Sequence, residues 1–397
     1  MTLAAAIESR TAGSPARSTP SRIASVDILS NLDQAETIWR SLEHPRHFST
    51  PYQRFDFLAE WQQKLGTHEG ISPFIVIAHD TERRPLLLLP LALKRSYGVR
   101  TACFMGGKHV TFNMGLWDRD FAAGATAADL DALLSAIRAQ SAADVLALTR
   151  QPLRWRDLPN PLALMPKQPS VNDCPLLTMA PGAKPDTVIR NSFRRRLKGK
   201  ERKLQTLPGY RYFAATADAD IQRMLDWFLS VKPLRMAEQR LPNVFADSGV
   251  EEFIRGACMA RLSGGGRVID IHALECDDEV LAIYAGVADG YRISMMFNTY
   301  TMSVNSRYSP GLILMRNIID DYAKRGYRAL DLGTGSDEYK RLFCKSDEPV
   351  FDCFVPLSLR GSVPATAMSG IDRAKHLVKH NQALFRIAQT LRSALHH

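Results

Sequence analysis

The segment from Ser309 to Arg325, SPGLILMRNIIDDYAKR, carries the pattern that most restricts how this chain can fold. Serine is favoured just before a helix and proline at its first position, so the segment predicts a helix that begins here. The body from Leu312 to Ile319 is almost entirely apolar, which requires burial. A strand-rich block precedes it and the strand-like run YRALDLG follows it. We therefore expect this helix to pack against a sheet.

The rest of the chain alternates strand-like and helix-like patterns in two blocks. Each block has the rough order of a strand, helices, paired strands, a helix and a strand. This order predicts an α/β fold, with mixed α+β sheets and flanking helices, built from two related halves. We place the halves at residues 23–165 and 170–360, with a proline-rich linker between Pro152 and Pro169.

The two ends of the chain differ from these halves. Residues 1–22 lack the apolar stretch of a secretory signal and are expected to form a disordered leader. Residues 361–397 are basic, and the spacing of their apolar residues predicts an amphipathic helix. The longest apolar run, PLLLLPLAL, is too short to cross a bilayer and predicts a buried strand. We therefore expect a cytoplasmic protein.

The charge balance points to anionic partners. Lysine and arginine total 51 against 41 acidic residues, a net charge of +10, which favours nucleic acid, acidic lipid or a phosphorylated ligand. Seven cations and one acid fall between Arg194 and Lys203. The six cysteines have no C-x-x-C spacing, so we expect no zinc site, no disulfide framework and no bound metal.

The run LDLGTGSD, from Leu330 to Asp337, has the Asp-x-Gly-x-Gly pattern of S-adenosylmethionine-binding loops in methyltransferases. Such a loop follows the first strand of a doubly wound sheet, and several further strands and crossover helices come after it. Only 62 residues follow Gly335 in this chain of 397, and the last part of them reads as one helix. The length of the remaining chain therefore disfavours a methyltransferase.

The start of the Ser309 helix is a candidate anion site. Free N–H groups and the helix dipole, about half a positive charge, attract a diphosphate to a helix start. Gly311 leaves room for a ligand to approach, and Arg307 stands just outside the helix. The residues expected to hold the diphosphate are Arg307, Ser309, Pro310, Gly311 and Leu312. A well-capped core helix that binds nothing would show the same local pattern.

Several segments together resemble one known family. They are FRRRLKGKERKL, FLSVKPLRMAEQRLPNVFAD, SRYSPGLILMRNIIDDYAKRGYRALDLGTGSDEYKRLF and, in the first half, GGKHVTFNMGLW. From about Val26 to Leu357, the sequence is similar to the GNAT-type acetyltransferases associated with cellulose and exopolysaccharide biosynthesis, distant relatives of the Fem peptidyltransferases. The resemblance implies tandem GNAT-like acyltransferase halves, and it implies that the second half binds acetyl-CoA or another acyl-CoA as co-substrate.

The resemblance also implies where the chemistry takes place. The helix start at Ser309 would hold the coenzyme A pyrophosphate, and Tyr339 and Lys340 would flank the substrate cleft. The family often has an acidic residue shortly after the tyrosine that precedes this helix, whereas here Tyr300 is followed by a threonine and a methionine. This departure puts an acidic catalyst at that position in doubt.

Aminolysis of a thioester needs a base for the amine, a polarised carbonyl and a proton for the departing thiolate. His272 alternates with apolar residues along a strand and is a candidate base, although a surface histidine would show the same spacing. Asp331 ends a strand beside the cofactor helix and is either a catalyst or a cap of the glycine turn. Lys340 is a candidate anion-binding residue, and Tyr300 and Tyr339 are candidate acids.

Three further features concern the acceptor and the thioester carbonyl. The polar loop GGKHVTFNMG predicts that His109 and Asn113 line a cleft between the halves. The basic helix, including Arg195, has the charge to bind an anionic acceptor such as a nucleotide sugar or a polyprenyl phosphate. A splayed strand within EVLAIYAGVAD would supply the backbone N–H groups that polarise the carbonyl.

Three functions are compatible with the sequence. The leading hypothesis is an acyl-CoA-dependent N-acyltransferase that modifies an amine acceptor, a small molecule or a glycan precursor, in cell-envelope polysaccharide metabolism. The second is an aminoacyl-tRNA-dependent, Fem-like transferase, the one case in which a nucleic acid partner is expected. The third is a non-catalytic basic adaptor bound to a synthase complex or an anionic membrane surface through its C-terminal helix. That role would place a cytoplasmic protein peripherally on the inner membrane.

Overall fold

The computed structural model describes residues 20–381 except residues 45, 142 and 336. The first half of the chain contains strands and helices in alternation. Its strands are β1 (Ser25–Leu29), β2 (His47–Phe48), β3 (Ser72–His79), β4 (Pro85–Ser96), β5 (Val99–Phe104), β6 (Leu116–Asp118), β7 (Val145–Pro152), β8 (Arg154–Trp155), β9 (Leu158–Pro159) and β10 (Gln168–Pro169). Its helices are α1 (Leu32–Ser41), α2 (Phe55–Trp61), α3 (Arg119–Ala123) and α4 (Ala127–Gln140).

The second half has the same alternation and a longer set of helices. Its strands are β11 (Cys174–Thr178), β12 (Arg211–Ala215), β13 (Asp270–Glu275), β14 (Val280–Ala288), β15 (Arg292–Tyr300), β16 (Ala329–Asp331), β17 (Ser346–Glu348) and β18 (Val350–Pro356). Its helices are α5 (Pro185–Val188), α6 (Asn191–Leu204), α7 (Asp218–Glu238), α8 (Val250–Met259), α9 (Pro310–Lys324), α10 (Glu338–Phe343) and α11 (Leu359–His380).

The two main sheets repeat one strand order. The first runs β1-β3-β4-β5-β7-β18-β10 and the second β12-β13-β14-β15-β16-β11-β17. In each sheet four antiparallel strands are followed by a parallel pair, β5–β7 in the first and β15–β16 in the second. One long helix, α4 or α9, connects the members of that pair. The prediction of an α/β fold built from two related halves is therefore confirmed.

The second half lends one strand to the sheet of the first half. Strand β11, which follows the first half in the chain, pairs antiparallel with β16 of the second sheet. Strand β18, at the end of the second half, pairs antiparallel with β7 of the first sheet. The stretch between Pro152 and Pro169 is correspondingly packed, with β8, β9 and β10 in it, instead of forming the free linker expected from its prolines. The two sheets cannot separate without breaking the β7–β18 pairing.

Buried side chains join the halves and enclose α9. One hydrophobic cluster runs from the first half into α7 and α8, where the rings of Phe57 and Phe253 meet edge to face at 5.4 Å. A second cluster surrounds α9, whose Ile313, Leu314 and Ile318 are fully buried. The apolar body of this helix therefore packs against the second sheet, as its sequence predicts.

The ends of the described chain both pack on the first half. Ser21 and Arg22, which the sequence places in the leader, hydrogen-bond to Asp129 of α4, while residues 1–19 lie outside the described residues. Helix α11 lies on β18, β7 and β10, and the predicted continuation over residues 382–397 lies outside the described part. Within the described residues, no helix has both the length and the hydropathy needed to span a bilayer.

Candidate functional site

The strands β15 and β16 separate after a short parallel pairing. They pair over Arg292–Ser294 and Ala329–Asp331, and beyond Asp331 nothing in β16 continues alongside β15. The splay expected within β14 therefore lies between the next two strands. Strand β14 itself stays paired on both edges, with a register shift between Ala285 and Gly286.

Asp331 fixes the point at which these strands part. Its carboxylate accepts hydrogen bonds from Arg292 Nε at 2.8 Å and Ser294 Oγ at 2.5 Å, and it also accepts from the Gly333 N–H at 3.1 Å. The side chain is fully buried and lines neither of the two cavities described next. Asp331 is therefore not placed to touch a substrate. It caps the glycine turn and fixes the point at which β15 and β16 separate, which we call the fork.

Gly333 is required by the shape of this turn. Its φ of 72° is left-handed, and a Cβ there would lie 3.2 Å from the backbone oxygen of Met295 on the opposite strand. The glycine run that resembles a methyltransferase loop thus serves to bend the chain away from β15 at the fork.

Two cavities meet between the separated strands. The α9 cavity, about 510 Å³, lies at the start of α9 and α7 forms its opposite wall. The interface cavity, about 450 Å³, lies between the second half and the loop after β5. Both are lined by Asn298, Asp337 and Tyr339, so they join at these three side chains. The fork thus opens into two adjoining cavities, which we call the two arms of the cleft.

The start of α9 faces cations and has no side-chain cap. Ser309 is in the left-handed region with φ 58°, and instead of capping the helix its Oγ accepts a hydrogen bond from Lys200 Nζ at 2.7 Å. Across the α9 cavity, Lys232 and Arg235 come from α7, and the Arg235 guanidinium lies 3.5 Å from the centre of the Tyr300 ring. Burial and the Arg235 charge lower the pKa of Lys232. This arm is suited to an anionic ligand.

The five residues expected to hold a diphosphate divide into two groups. Ser309, Gly311 and Leu312 line the α9 cavity. Pro310 is buried at the first helical position, and Arg307 turns aside to stack on Tyr308, with 4.8 Å between guanidinium and ring centre. Only the first group can contact a ligand directly in this arrangement.

The loop before α9 is held by an acid that the sequence did not single out. The Glu279 carboxylate accepts hydrogen bonds from the side chains of Thr301, Ser303 and Asn305. The threonine that follows Tyr300, where the resembling family often has an acid, is therefore buried and structural. These bonds fix the short 3-10 turn that leads into the helix start.

Tyr339 lies where the two arms join. It is hydrogen-bonded to Tyr284 and Asn298, and burial raises the pKa of its phenol to about 12. The phenol is therefore protonated at neutral pH and can donate a proton. Asp337 lies beside it, with Oδ2 3.4 Å from Lys340 Nζ and a largely exposed side chain. A carboxylate and a proton donor thus face the same space.

Lys340 has a different place from the one its sequence context suggests. Its ammonium is buried and donates to the backbone oxygens of Thr334 at 2.9 Å and Gly333 at 3.3 Å. The N–H groups of the Lys340 ammonium thus stabilise the glycine turn. Lys340 lies on the wall of the interface cavity, but it acts there as a support of the turn and not as a free anion-binding lysine.

The first half contributes one wall of the interface cavity. His109 lies on this wall with its ring 5.6 Å from that of Phe253, and burial together with the neighbouring Lys108 charge lowers its pKa to about 4. Lys108 forms an ion pair with Asp247 across the halves. Asn113, in contrast, is buried and donates to the Thr149 backbone oxygen at 3.0 Å, so it supports the loop without lining the cavity.

Two further candidates lie away from both cavities. His272 is fully buried between the hydroxyls of Tyr212 at 3.0 Å and Tyr322 at 3.1 Å, and burial lowers its pKa to about 3. It is therefore neither a general base in the cleft nor a surface histidine. Arg195 is exposed on α6, where it can meet only a ligand that extends beyond the α9 cavity.

The sequence interpretation missed most of the polar side chains that define the cleft. They are Lys200, Lys232, Arg235, Asn298 and Asp337. Lys200 lay hidden in a run of seven cations, and Lys232 and Arg235 are spaced three apart on a helix, which gives a weak signal. Asn298 and Asp337 line the cleft only because β15 and β16 separate at the fork, which the sequence does not show.

The comparisons with known proteins agree with this geometry. Residues 191–341 match the family model described as an acetyltransferase (GNAT) domain. These residues run from α6 through the fork into α10, and they include the lining of the α9 cavity and the second-half wall of the interface cavity. The second half contains a GNAT-type acyltransferase domain. The chain is accordingly an acyltransferase enzyme, as expected, and its two halves have the tandem GNAT-like arrangement.

Solved structures with the same fold cover most of this acyltransferase. FemX is 10% identical with a TM-score of 0.54, over 83% of this chain and 96% of that one. A conserved protein of unknown function from Bacteroides thetaiotaomicron is 11% identical with a TM-score of 0.51, over 83% and 99%. The C-terminal domain of a putative lysylphosphatidylglycerol synthetase from Agrobacterium fabrum is 9% identical with a TM-score of 0.50, over 88% and 98%. A search of curated proteins finds no match.

Proposed function

We propose that this enzyme transfers an acyl group from acyl-CoA to an amine, with the donor in the α9 cavity and the acceptor in the interface cavity. The observation that carries the proposal is the start of α9, where no side chain caps the helix and where Leu312 and Ile313 donate to the Ser309 backbone oxygen. This helix start opens on a cavity that contains Lys232 and Arg235 and is bordered by Lys200. A diphosphate is attracted by a helix start of this kind and by nearby cations.

The matching helix of the first half supports this assignment by contrast. Helix α4 occupies the same position between its parallel strands, but Thr126 and Asp129 form a capping box at its start. The Asp129 carboxylate also accepts from the backbone N–H of Arg22 at 2.7 Å. The donors at this helix start are therefore taken by the chain itself, and an acid stands where a phosphate would have to lie. We assign donor binding to the second half alone.

The junction supplies the groups that aminolysis needs. The amine attacks the thioester carbonyl carbon, the carbon–sulfur bond breaks, and the departing thiolate takes the phenolic proton of Tyr339. The Asp337 carboxylate attracts the acceptor as its ammonium form and receives the proton that the amine must lose. Beyond Ser294, one edge of β15 is free of β16, and its backbone N–H groups are available to polarise the carbonyl.

For the acceptor we propose a glycan precursor of the cell envelope that carries an amine. The resemblance to acetyltransferases associated with cellulose and exopolysaccharide biosynthesis suggests this class. The carboxylate at the junction and the neutral imidazole of His109 on the opposite wall are consistent with an amine acceptor. Acetyl-CoA is the donor we propose on the same resemblance.

A Fem-like, aminoacyl-tRNA-dependent transfer is the second candidate. The observation in its favour is the exposed cationic side of α6, which includes Arg195, Lys198 and Arg202 on the helix that also carries Lys200. The acid in this stretch, Glu201, is buried against Arg316, so it does not offset that charge. A polynucleotide on this surface would place its end near the α9 cavity. The likeness in fold to FemX suits this candidate as well as the first.

Binding measurements separate the two candidates. Titration calorimetry with acetyl-CoA and with desulfo-CoA should show binding that is lost in Lys232→Gln/Arg235→Gln, while tRNA should bind weakly and without that dependence. Retention on tRNA with a steep salt dependence, and no heat with any acyl-CoA, would favour the aminoacyl-tRNA route. Absence of binding to both ligands would contradict both candidates.

A further inference from the structure

Helix α11 is apolar on a face that no other part of the described chain covers. Its 22 residues extend about 33 Å. Leu359 is 95% exposed and Val363 77%, and they are followed along the helix by Ile371 at 54% and Leu377 at 63%. At 100° per residue, these four side chains fall within about a third of the helix circumference. The helix thus presents a continuous apolar stripe to solvent.

The opposite face of α11 is the one that holds it to the protein. Gly361 and Ala365 are buried there, and a Cβ on Gly361 would lie 1.8 Å from the Asp144 backbone oxygen. His376 Nδ1 lies 2.9 Å from the Ser170 backbone oxygen, further along the same side. Because this opposite face packs on the first half, the apolar stripe is not the face by which α11 joins the protein core.

The β4–β5 hairpin extends the exposed surface beside the start of α11. Its tip carries Tyr97, the side chain of which is 103% exposed. Val99 of the same hairpin packs with Ala365 and Met368 of α11. The hairpin therefore lies beside the first turns of the helix, at the edge of its docked face. We call these exposed side chains of the helix and the hairpin the α11 patch: Lys94, Arg95, Tyr97, Leu359, Arg360, Val363, Ile371 and Leu377.

The cations of the α11 patch lack counter-charges. Arg95 lies directly opposite Arg100 across the hairpin, an arrangement of like charges that destabilises a strand pair. Arg100 is compensated by Asp144, with Nε and Oδ2 3.4 Å apart. For Lys94, Arg95 and Arg360, no ion pair is present among the described residues. An anionic partner would relieve a repulsion that the protein leaves in place.

We propose that the α11 patch binds the surface of an anionic lipid bilayer. An apolar stripe with flanking lysine and arginine, and an exposed tyrosine at its edge, matches the headgroup boundary of a membrane, where apolar side chains enter and cations meet anionic headgroups. A second copy of the chain fits less well, because a twofold contact through this patch would bring two sets of unpaired cations and no acid into one interface.

The patch and the catalytic cleft are separate, so this inference does not rest on the proposed reaction. None of its residues lines the α9 cavity or the interface cavity. Membrane binding would hold the acyltransferase near lipid-linked or membrane-extruded acceptors. Variants of the patch can therefore be tested for vesicle binding without a change in the residues that line the cleft.

Vesicle flotation with the full-length protein tests the proposal. We expect binding to vesicles of phosphatidylcholine with phosphatidylglycerol at 4:1, weak binding to phosphatidylcholine alone, and loss at high salt. Each cation contributes about fivefold in affinity near such a surface, so Lys94→Gln/Arg95→Gln should weaken binding about 25-fold. Leu359→Gln/Val363→Gln should weaken it at least tenfold. Lys203→Gln on α6 and Leu164→Gln, another exposed leucine, are the matched controls.

Three outcomes would overturn the proposal. The first is equal vesicle binding by both double variants and the controls. The second is a dimer in light scattering that Leu359→Gln/Val363→Gln converts to a monomer, with no vesicle binding. The third is tRNA binding that Lys94→Gln/Arg95→Gln abolishes while vesicles bind neither protein. A circular dichroism melt identical to that of the parent protein establishes that each variant is folded.

Discussion

Lys200 Nζ lies 2.7 Å from Ser309 Oγ, so the basic helix α6 places one of its cations at the start of α9. This contact links two sequence features that looked independent, a run of cations and a serine–proline helix start. It also explains why Ser309 does not cap its own helix, since its hydroxyl is turned toward the lysine. The contact makes the helix start more electropositive than the dipole alone.

Removal of that cation should weaken donor binding specifically. A hydrogen bond to a charged group contributes about 1.5–3 kcal/mol, so Lys200→Gln should raise the KM for acyl-CoA roughly 10- to 100-fold and change kcat little. Lys203→Gln, an exposed lysine on the same helix, is the control. An unchanged KM in Lys200→Gln would show that the phosphates lie elsewhere.

Tyr339 should affect kcat rather than binding. If its phenol protonates the thiolate, Tyr339→Phe should lower kcat by about 100-fold, the lower range for acid catalysis, with KM nearly constant. Because the pKa of Tyr339 is raised to about 12, kcat should not fall through loss of this proton below about pH 11. Tyr300→Phe, which keeps the ring under Arg235, is the comparison. Equal kcat values for the two variants would assign the acid elsewhere.

Substitution of Asp331 should mainly reduce stability, whereas substitution of Asp337 should mainly reduce activity. Loss of one partner from a buried ion pair costs about 3–5 kcal/mol, so Asp331→Asn should lower the urea midpoint strongly. Asp337→Asn changes an exposed carboxylate and should leave the midpoint within error while the KM for the acceptor rises. Paired denaturation curves and steady-state kinetics measure both effects. The reverse ranking of the two midpoints would contradict the roles assigned to them.

Two histidines, the fully buried His272 and the half-buried His109, should make the fold sensitive to acid. The pKa values of His109 and His272 are lowered to about 4 and about 3, below the unfolded value of about 6.5. At these two histidines the unfolded chain therefore binds more protons than the folded chain as the pH drops below about 6.5. The free energy of unfolding should decrease by about 2 kcal/mol per histidine when the pH is lowered from 7 to 5.

Urea denaturation of His109→Gln at pH 7 and at pH 5 measures how much His109 contributes to the pH dependence of stability. The variant should lose about 2 kcal/mol less than the parent protein between pH 7 and 5. His68→Gln, which removes an exposed histidine of the same half, is the matched control. The same pH dependence in His109→Gln and in the parent protein would show that His109 is not held neutral in the fold.

The strands and helices could be predicted because each leaves a local pattern. PLLLLPLAL is β4, and the apolar body of α9 is buried between strands as expected. The pairing of β11 with β16 and of β18 with β7 left no such pattern, since a segment such as CPLLT carries no information about which distant strand it joins. Pairing over more than a hundred residues is decided by the whole sheet.

The place of the candidate site in the fold was predictable, but the surroundings of its side chains were not. The α9 start and Tyr339 do line the cleft, because a helix start and a strand end are positions that the topology fixes. His272 and Asp331 have spacings that suit catalysis, yet both are fully buried in hydrogen-bond networks. Asp337 lines the cleft only because the strands fork. Burial depends on tertiary packing, which spacing along the chain does not encode.

The most direct test of donor binding at α9 compares Gly311→Asp with Gly311→Ala. A Cβ at this position would meet Tyr300 at an ordinary 3.5 Å, and an acid in the first turn stabilises a helix. Gly311→Asp should therefore fold at least as stably as the parent protein. It reproduces in α9 the acid that occupies the start of α4 in the first half.

The deciding measurement is hydrogen exchange at residues 311–313 with and without acetyl-CoA. We predict that acetyl-CoA slows exchange there in the parent protein and, more weakly, in Gly311→Ala, and that Gly311→Asp shows neither protection nor calorimetric binding although it is fully folded. Undiminished acetyl-CoA binding by Gly311→Asp, or protection confined to the first half, would contradict the assignment of the donor to the start of α9.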